Sequence, residues 1–259
     1  MKNAGGIDIE SLATCLLGDY DQRRPGAIFL DGLQLTLKDA WQLQHTVVRM
    51  REERGEQVVG YKIGCVSSIN QNHFGLSHPV WGRLWSTEQY ESKVRLSKAD
   101  FANVAVEAEF GVILGETVDS KDTSIASIFT AVEKVFIVIE LHNAVFYGGD
   151  PKGHELIATN AIHAGVVRGQ EFKPERSAMT NLILYFDNTA VDVWNEIRWP
   201  DDILASVSWL ADQLAKEELS LEKGQTILTG AFGPPRTIGG ASHSKVVSSR
   251  FGTVEALFT

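Results

Sequence analysis

The chain has 259 residues, of which 44% are hydrophobic and 22% are charged, as in most folded globular proteins. Its formal net charge of −9 argues against binding to nucleic acid or to an anionic membrane surface, because both interactions need a basic face. No apolar stretch approaches the roughly 18 residues of a membrane-spanning helix.

Two features of the composition bear on location and domain organisation. Cys15 and Cys65 stand in unrelated contexts, so we expect both to be free thiols. Residues 1–10 lack the apolar segment of a signal peptide, so we expect a cytoplasmic protein. The chain has no internal repeat and no Pro- or Ser-rich linker, which favours one compact unit.

The first part of the chain has the periodicity of helices. Apolar residues recur three or four positions apart from Ile9 to Leu17 and again from Leu37 to Val48. Thr36 stands three residues before Asp39, which is the spacing of a capping box, and Gly55 is a plausible end of the second helix. We therefore assign residues 1–57 to a helical N-terminal segment.

From Val58 onwards the pattern changes to that of strands. Runs rich in β-branched and apolar residues predict strands at residues 58–63, 103–114, 135–141, 164–167, 181–186, 226–229, 245–249 and 253–258. Helical patterns appear at residues 125–132 and after Pro200. Helices at the front and mostly strands afterwards predict an α+β protein, with residues 58–259 forming a β-rich core.

Glu107 and Glu109 lie two residues apart in a predicted strand, so both carboxylates project from the same face. A divalent cation would relieve the repulsion between them. The alternative is an exposed strand face, where pairs of Glu residues are common.

Two further charged residues stand among apolar neighbours. Glu140 ends the apolar run 135–139, where a buried carboxylate is costly unless it is paired or bound to a metal. Lys62 lies between apolar residues and two glycines, and a buried lysine can serve as an acid, a base or an anion anchor. In the alternative interpretation, both side chains reach solvent.

Common catalytic motifs are absent from the sequence. We find no H-E-x-x-H, C-x-x-C, G-x-S-x-G, Walker-type or G-x-G-x-x-G pattern. Their absence argues against zinc hydrolases, serine hydrolases, ATPases and dinucleotide-dependent enzymes. The spacing of His73 and His78 after Cys65 does not form a Cys–His pair either.

Several separated segments together resemble the 2-keto-4-pentenoate hydratase / 4-oxalocrotonate decarboxylase family of the fumarylacetoacetate hydrolase superfamily. The matching segments, in chain order, are Val59-Gly60-Tyr61-Lys62-Ile63-Gly64-Cys65-Val66-Ser67, then Val106-Glu107-Ala108-Glu109, Glu140, Thr159-Asn160-Ala161, and Leu221 to Gly230. Glu140 follows Glu109 by 31 residues, as in that family. The resemblance covers nearly the whole chain.

The resemblance implies a fold and a site that periodicity alone does not give. It implies a mixed β-roll or sandwich core with the helical segment packed against it, and a homo-oligomer. It implies Mg²⁺ or Mn²⁺ bound by Glu107, Glu109 and Glu140, with Lys62 as a catalytic and substrate-binding residue. It also places Asn160 and Thr229 at the substrate, a small 2-oxo or 2-hydroxy-dienoic acid.

The chain departs from the family pattern at several positions. Val80 stands where an acidic residue is expected, Ile162 and His163 replace small hydroxyl residues, and Gln225 replaces Asp. The segment Leu141-His142-Asn143 replaces the Asp-Ser-Arg that often follows the third carboxylate. We expect that these changes alter the substrate or the reaction, since the metal ligands are retained.

The leading hypothesis is a divalent-metal-dependent lyase that adds water to a 2-hydroxy-dienoic or 2-oxo-enoic acid. One alternative is a 4-oxalocrotonate-type decarboxylase. Another is a non-catalytic relative that binds metal and oxo acid, which Val80 and the altered segment after Asn160-Ala161 suggest. Hydrolysis of a C–C bond in an acylpyruvate is disfavoured by the long helical segment, which is typical of the hydratase group.

Overall fold

A computed structural model describes residues 7–24, 26, 28–29, 32–143, 153–176 and 178–259. Its α-helices are α1 (Ile9–Asp21), α2 (Leu37–Glu53), α3 (Ser68–Phe74), α4 (Ile125–Ala131), α5 (His154–Ala158) and α6 (Asp201–Lys216). Its strands are β1 (Val58–Gly64), β2 (Val80–Trp85), β3 (Gln89–Glu91), β4 (Val94–Leu96), β5 (Val104–Leu114), β6 (Val132–Asn143), β7 (His163–Arg168), β8 (Ala178–Phe186), β9 (Thr189–Trp199), β10 (Thr226–Leu228), β11 (Arg236–Thr237), β12 (His243–Ser248) and β13 (Gly252–Phe258).

The N-terminal helices begin where the sequence predicts. Asp8 caps α1 by accepting a hydrogen bond from the Ser11 N–H. The predicted capping box of α2 is confirmed, because the Thr36 side chain and Asp39 each accept from the other's backbone N–H. Each cap satisfies backbone donors that a helix leaves unpaired at its first turn.

The strands form two sheets. One has the order β2-β1-β10-β5-β6-β7-β3, with β11 paired to β5, and the other has the order β4-β13-β12-β8-β9. The long antiparallel pair β5–β6 lies at the centre of the first sheet and places Glu107 directly opposite Glu140.

The two faces of β5 have different environments. Val106, Ala108, Phe110 and Val112 face the main hydrophobic core, which includes buried residues of the second sheet and of α6. The opposite face carries Glu107, Glu109 and Gly111. On that face a small apolar cluster lies beside the charged residues and consists of Leu84, Phe136, Val138, Val166 and Leu228.

The helical segment packs on the first sheet through a separate apolar cluster. This cluster joins Ala13, Leu16, Ala40 and Leu43 to Val80 and to residues 156–158 and 161–162. The Tyr20 hydroxyl donates to the Thr159 carbonyl at 2.8 Å. The Gln44 side-chain amide donates to the Ile157 carbonyl at 2.9 Å and to the Trp81 carbonyl at 3.2 Å.

The α+β fold, with a mixed-sheet core and a helical N-terminal segment, is thus confirmed. The division at residues 57/58 stays a prediction. The helices described by the structure include none that is both long and apolar enough to cross a bilayer.

Some elements differ from the predicted ones. The strand expected at 135–141 runs from Val132 to Asn143, and α4 ends at Ala131. The sequence analysis missed the long strand β9 because its residues are mostly exposed or half-buried and give no apolar run. It also missed β2, α3 and α5, since short elements give little periodicity.

The first prediction concerns Gly60, where β1 meets β10. Gly60 has φ +154°, and a Cβ there would lie 1.8 Å from the Thr226 carbonyl oxygen. Gly60→Ala should therefore lower the free energy of unfolding by about 1–3 kcal/mol, measured by urea denaturation.

The matched control for this variant is Gly240→Ala. Apart from its chain neighbours, no described residue has an atom within 4 Å of a Cβ placed at Gly240, so the effect of Gly240→Ala should stay within about 0.5 kcal/mol. Equal stability of the two variants would contradict the close approach of β1 and β10.

Candidate functional site

The three predicted carboxylates lie together and are buried. Glu109 and Glu140 have no exposed surface, and Glu107 is 9% exposed. Glu140 lies inside β6 and not at the start of a loop. The alternatives in which these side chains lie on an exposed face or point to water are therefore wrong.

Lys62 lies among these carboxylates. Its Nζ atom is 3.1 Å from Oε1 of Glu140 and 3.4 Å from the Ala161 carbonyl oxygen, and the side chain is 2% exposed. Burial alone would lower the pKa of Lys62, but the negative charges of Glu140, Glu107 and Glu109 outweigh it and raise the pKa. The side chain therefore stays an ammonium group at neutral pH and does not reach solvent.

The two oxygens of Glu140 have different surroundings. Oε1 contacts Lys62 and accepts from Nδ1 of His163 at 2.8 Å, whereas buried Oε2 has no hydrogen-bond partner among the residues that the structure describes. Burial would raise the pKa of Glu140, but Lys62, His142 and His163 lower it below its ordinary value. One side of this carboxylate is thus held, and the other is left without a donor.

Glu109 has a different protonation tendency. Its Oε2 accepts from the Gly230 backbone N–H at 2.9 Å, and within the described part of the chain its buried Oε1 has no hydrogen-bond partner. Burial, together with the charges of Glu140 and Glu107, raises the pKa of Glu109 well above its ordinary value. Without a further cation, the cluster therefore favours a proton on Glu109.

His142 joins the cluster, although the sequence analysis treated it only as a departure from the family pattern. It follows Glu140 by two residues in β6, so both side chains project from the same face. Its Nε2 atom lies 2.9 Å from Oε2 of Glu107 and 3.8 Å from Oε2 of Glu140. The period of two from Glu140 is the signal that could have found it.

The residues fit a divalent cation. Glu107, Glu140 and His142 each offer one ligand atom, and these atoms lie within 4.8 Å of one another. Glu109 is not part of this tight group, but its unpartnered oxygen lies in the same buried cluster. Buried carboxylate oxygens without donors are the atoms that a hard cation would satisfy.

Asn160 and Thr229 have structural partners. The Asn160 side chain pairs with the backbone of Arg83, accepting from its N–H at 2.7 Å and donating to its carbonyl at 2.9 Å. The Thr229 hydroxyl donates to the Phe110 carbonyl at 3.1 Å. Their predicted roles toward a substrate stay predictions.

The structure also accounts for the other departures from the family pattern. Val80 and Ile162 are buried in the apolar cluster beneath the helices. His163 donates from Nδ1 to Oε1 of Glu140. Gln225 accepts from the Glu222 N–H at 2.8 Å and so closes the turn before β10.

Gly230 connects the cluster to a cavity. Beside the hydrogen bond from its N–H to Glu109, Gly230 lines a cavity of about 390 Å³, together with Thr229, Val66, Trp209 and Phe232. This volume is within the usual range for small-molecule sites.

The chain is similar in sequence to several known proteins over most of its length. The chain is 27% identical over 218 residues to "2-oxo-hept-4-ene-1,7-dioate hydratase" of Escherichia coli, which covers 81% of this chain and 82% of the relative. It is 28% identical to "4-oxalocrotonate decarboxylase" of Pseudomonas sp (76% and 77% covered) and 26% identical to "2-keto-4-pentenoate hydratase" of Burkholderia vietnamiensis (85% of each). No protein-family model matches the chain.

Solved structures share the fold. "4-oxalocrotonate decarboxylase from Pseudomonas putida G7 - complexed with magnesium and adipate" superimposes with a TM-score of 0.86 at 19% identity and covers 97% of each chain. "Fumarylpyruvate hydrolase from Pseudomonas aeruginosa in complex with Mn2+ and pyruvate" has a TM-score of 0.57 at 13% identity, over 77% of this chain and 88% of that one. The predicted family resemblance and the fold type are confirmed by these comparisons.

The pairing of Asn160 with Arg83 predicts a loss of stability on substitution. Asn160→Ala would remove the side-chain partners of the N–H and the carbonyl of Arg83, so we expect a loss of about 1–3 kcal/mol in the free energy of unfolding. Asn72→Ala, at an exposed position of α3, is the control and should change it by less than about 0.5 kcal/mol. Urea denaturation of both variants tests this, and an unchanged midpoint for Asn160→Ala would contradict it.

Proposed function

We propose that this chain, a relative of the 2-keto-4-pentenoate hydratases and 4-oxalocrotonate decarboxylases, is a divalent-metal-dependent lyase. The reaction we assign to it is addition of water to a 2-hydroxy-dienoic or 2-oxo-enoic acid. The observation that carries the proposal is the buried cluster of three carboxylates around Lys62, in which one oxygen each of Glu109 and Glu140 has no hydrogen-bond partner in the described ranges of the chain.

The metal of the proposal is Mg²⁺ or Mn²⁺, held by Glu107, Glu109 and Glu140. Relatives of the same fold were solved with magnesium, calcium or Mn²⁺, and carboxylate ligands suit these hard cations. A bound cation would draw negative charge from the carboxylate and the adjacent oxygen of a 2-oxo or 2-hydroxy acid.

Lys62 supplies a fixed positive charge next to the reacting part of the substrate. Its ammonium group is buried and contacts Glu140, so it orients that carboxylate. It can also attract an acidic substrate, because a buried ammonium group is little screened by water and its charge interactions are strong. Lys62 would then anchor the substrate or exchange a proton with it.

Substrate-binding roles for Asn160 and Thr229 belong to the same proposal. Thr229 lines the cavity beside Gly230, which supports a position near the substrate. Asn160 adjoins Ala161, whose carbonyl contacts Lys62.

The second candidate function is decarboxylation of an oxalocrotonate-type acid. Val80 favours decarboxylation, because this buried apolar residue stands where the family resemblance leads us to expect an acid that could assist hydration. Val80 is also close to the site, since its Cγ2 lies 3.3 Å from the position that a Cβ of Gly64 would take, and the Lys62 Nζ lies 3.6 Å from the same position. The non-catalytic alternative would have been favoured by a Lys62 side chain turned to solvent, which is not found. A cytoplasmic location and a homo-oligomer also remain proposals drawn from composition and resemblance.

The direct test is product analysis by mass spectrometry. The purified protein is given a panel of 2-hydroxy-dienoic and 2-oxo-enedioic acids, with Mg²⁺ and with EDTA. We expect the gain of one water, only with metal. Loss of CO₂ would replace the hydratase by the decarboxylase, and no metal-dependent change across the panel would contradict both.

A variant tests the site assignment. Glu107→Ala removes a carboxylate of the cluster, so kcat/KM should fall at least about 100-fold while the circular dichroism spectrum stays unchanged. Glu133→Ala, which alters an exposed carboxylate on the same sheet, is the matched control and should retain activity. Metal-dependent turnover by Glu107→Ala at the normal rate would overturn the assignment.

A further inference from the structure

His142 occupies a position that the three-carboxylate site does not explain. Its side chain is 2% exposed, and its Nε2 atom faces the Oε2 atoms of Glu107 and Glu140. The Nδ1 atom is buried, and no described residue is its hydrogen-bond partner. The ring thus has carboxylates as its polar neighbours among the described contacts.

We infer that His142 is a further protein ligand of the divalent cation and adds an imidazole nitrogen to the carboxylates of Glu107, Glu109 and Glu140. The inference rests on the proposed cation site and deepens it. The family resemblance implies the three carboxylates as ligands and does not include His142.

The distances support a common ion. Two atoms bound to one ion at about 2.0–2.2 Å lie roughly 3–4 Å apart. His142 Nε2 lies 2.9 Å from Glu107 Oε2, close to the lower end of that range, and 3.8 Å from Glu140 Oε2, close to its upper end. Since all three atoms also lie within 4.8 Å of one another, these separations are compatible with one shared cation.

The competing explanation is a simple hydrogen bond from His142 to Glu107. That hydrogen bond would satisfy Glu107 but not Oε2 of Glu140, which is buried with no hydrogen-bond donor among the described residues and would then need a proton on Glu109 as its partner. A cation near all three atoms satisfies Glu140 as well. In contrast, Oε1 of Glu140 is already held by Lys62 and His163 on its other side, so Oε2 is the oxygen left to bind.

A nitrogen ligand changes which metals the site prefers. Carboxylates suit Mg²⁺ and Mn²⁺, whereas imidazole suits later metals such as Zn²⁺. We expect the protein to bind Mn²⁺ and Zn²⁺ more tightly than Mg²⁺. His142→Gln should lower the Zn²⁺ affinity at least about 10- to 100-fold. That is the loss seen when a residue that only orients a metal ligand is removed, and loss of a ligand itself should cost no less.

The test is pulsed electron paramagnetic resonance of Mn²⁺ bound to the full chain. We expect modulation from a directly bound ¹⁴N nucleus, which should change to the ¹⁵N pattern when the protein is made with ¹⁵N-histidine. This comparison needs no variant, so it holds even if His142→Gln fails to fold.

Two variants then identify the residue. His142→Gln should lose the nitrogen coupling, whereas the matched variant His163→Gln should keep it, because His163 contacts the oxygen of Glu140 on the other side. Coupling that persists in His142→Gln and disappears in His163→Gln would overturn the inference.

The remaining outcomes separate this inference from the proposed function. Mn²⁺ that binds tightly without nitrogen coupling would overturn the role of His142 and leave the metal-dependent lyase intact. A wild-type protein that binds no Mn²⁺, by titration calorimetry, would overturn both.

Discussion

The burial of negative charge is the constraint on which the rest of this structure depends. Three carboxylates on one face of a sheet, two of them without any exposed surface, cannot all stay ionised without compensation. The chain supplies Lys62, His163 and the Gly230 N–H at distances between 2.8 and 3.1 Å. These groups offset part of the charge and leave specific oxygens free, which is what a cation site needs.

Sheet register converts this constraint into a site. Glu107 and Glu140 come from strands that pair directly, and alternation adds Glu109 and His142 on the same face. A shift of one residue in the pairing would move every one of these side chains to the apolar core. The apolar residues on the other face of β5 and β6 therefore fix the position of the polar ones.

The sequence could predict those parts of the site that depend on local pattern. The spacing of Glu107 and Glu109, the apolar run before Glu140 and the glycines around Lys62 indicated chemistry, and the resemblance joined them. His142 and His163 were not recognised, because their role depends on which strands lie beside them and not on their neighbours in sequence. The hydrogen bonds between the Asn160 amide and the backbone of Arg83 could not be predicted from the sequence either, since they join residues 77 positions apart. Strand β9 was missed for a different reason, namely that an exposed edge strand needs no apolar run.

The turn before β7 connects the helices to the charged cluster. Asn160, Ala161 and Ile162 have φ values of 55°, 50° and 54°, which side-chain-bearing residues adopt at a cost in energy. Tyr20 and Gln44 hold the residues just before this turn, and the Ala161 carbonyl lies beside the Lys62 ammonium. Hydrogen bonds from α1 and α2 therefore reach residues 157 and 159, at most three positions before the turn that contains the Ala161 carbonyl. The packing of the helices on the sheet thus helps to fix where the Ala161 carbonyl dipole lies relative to the buried charge of Lys62.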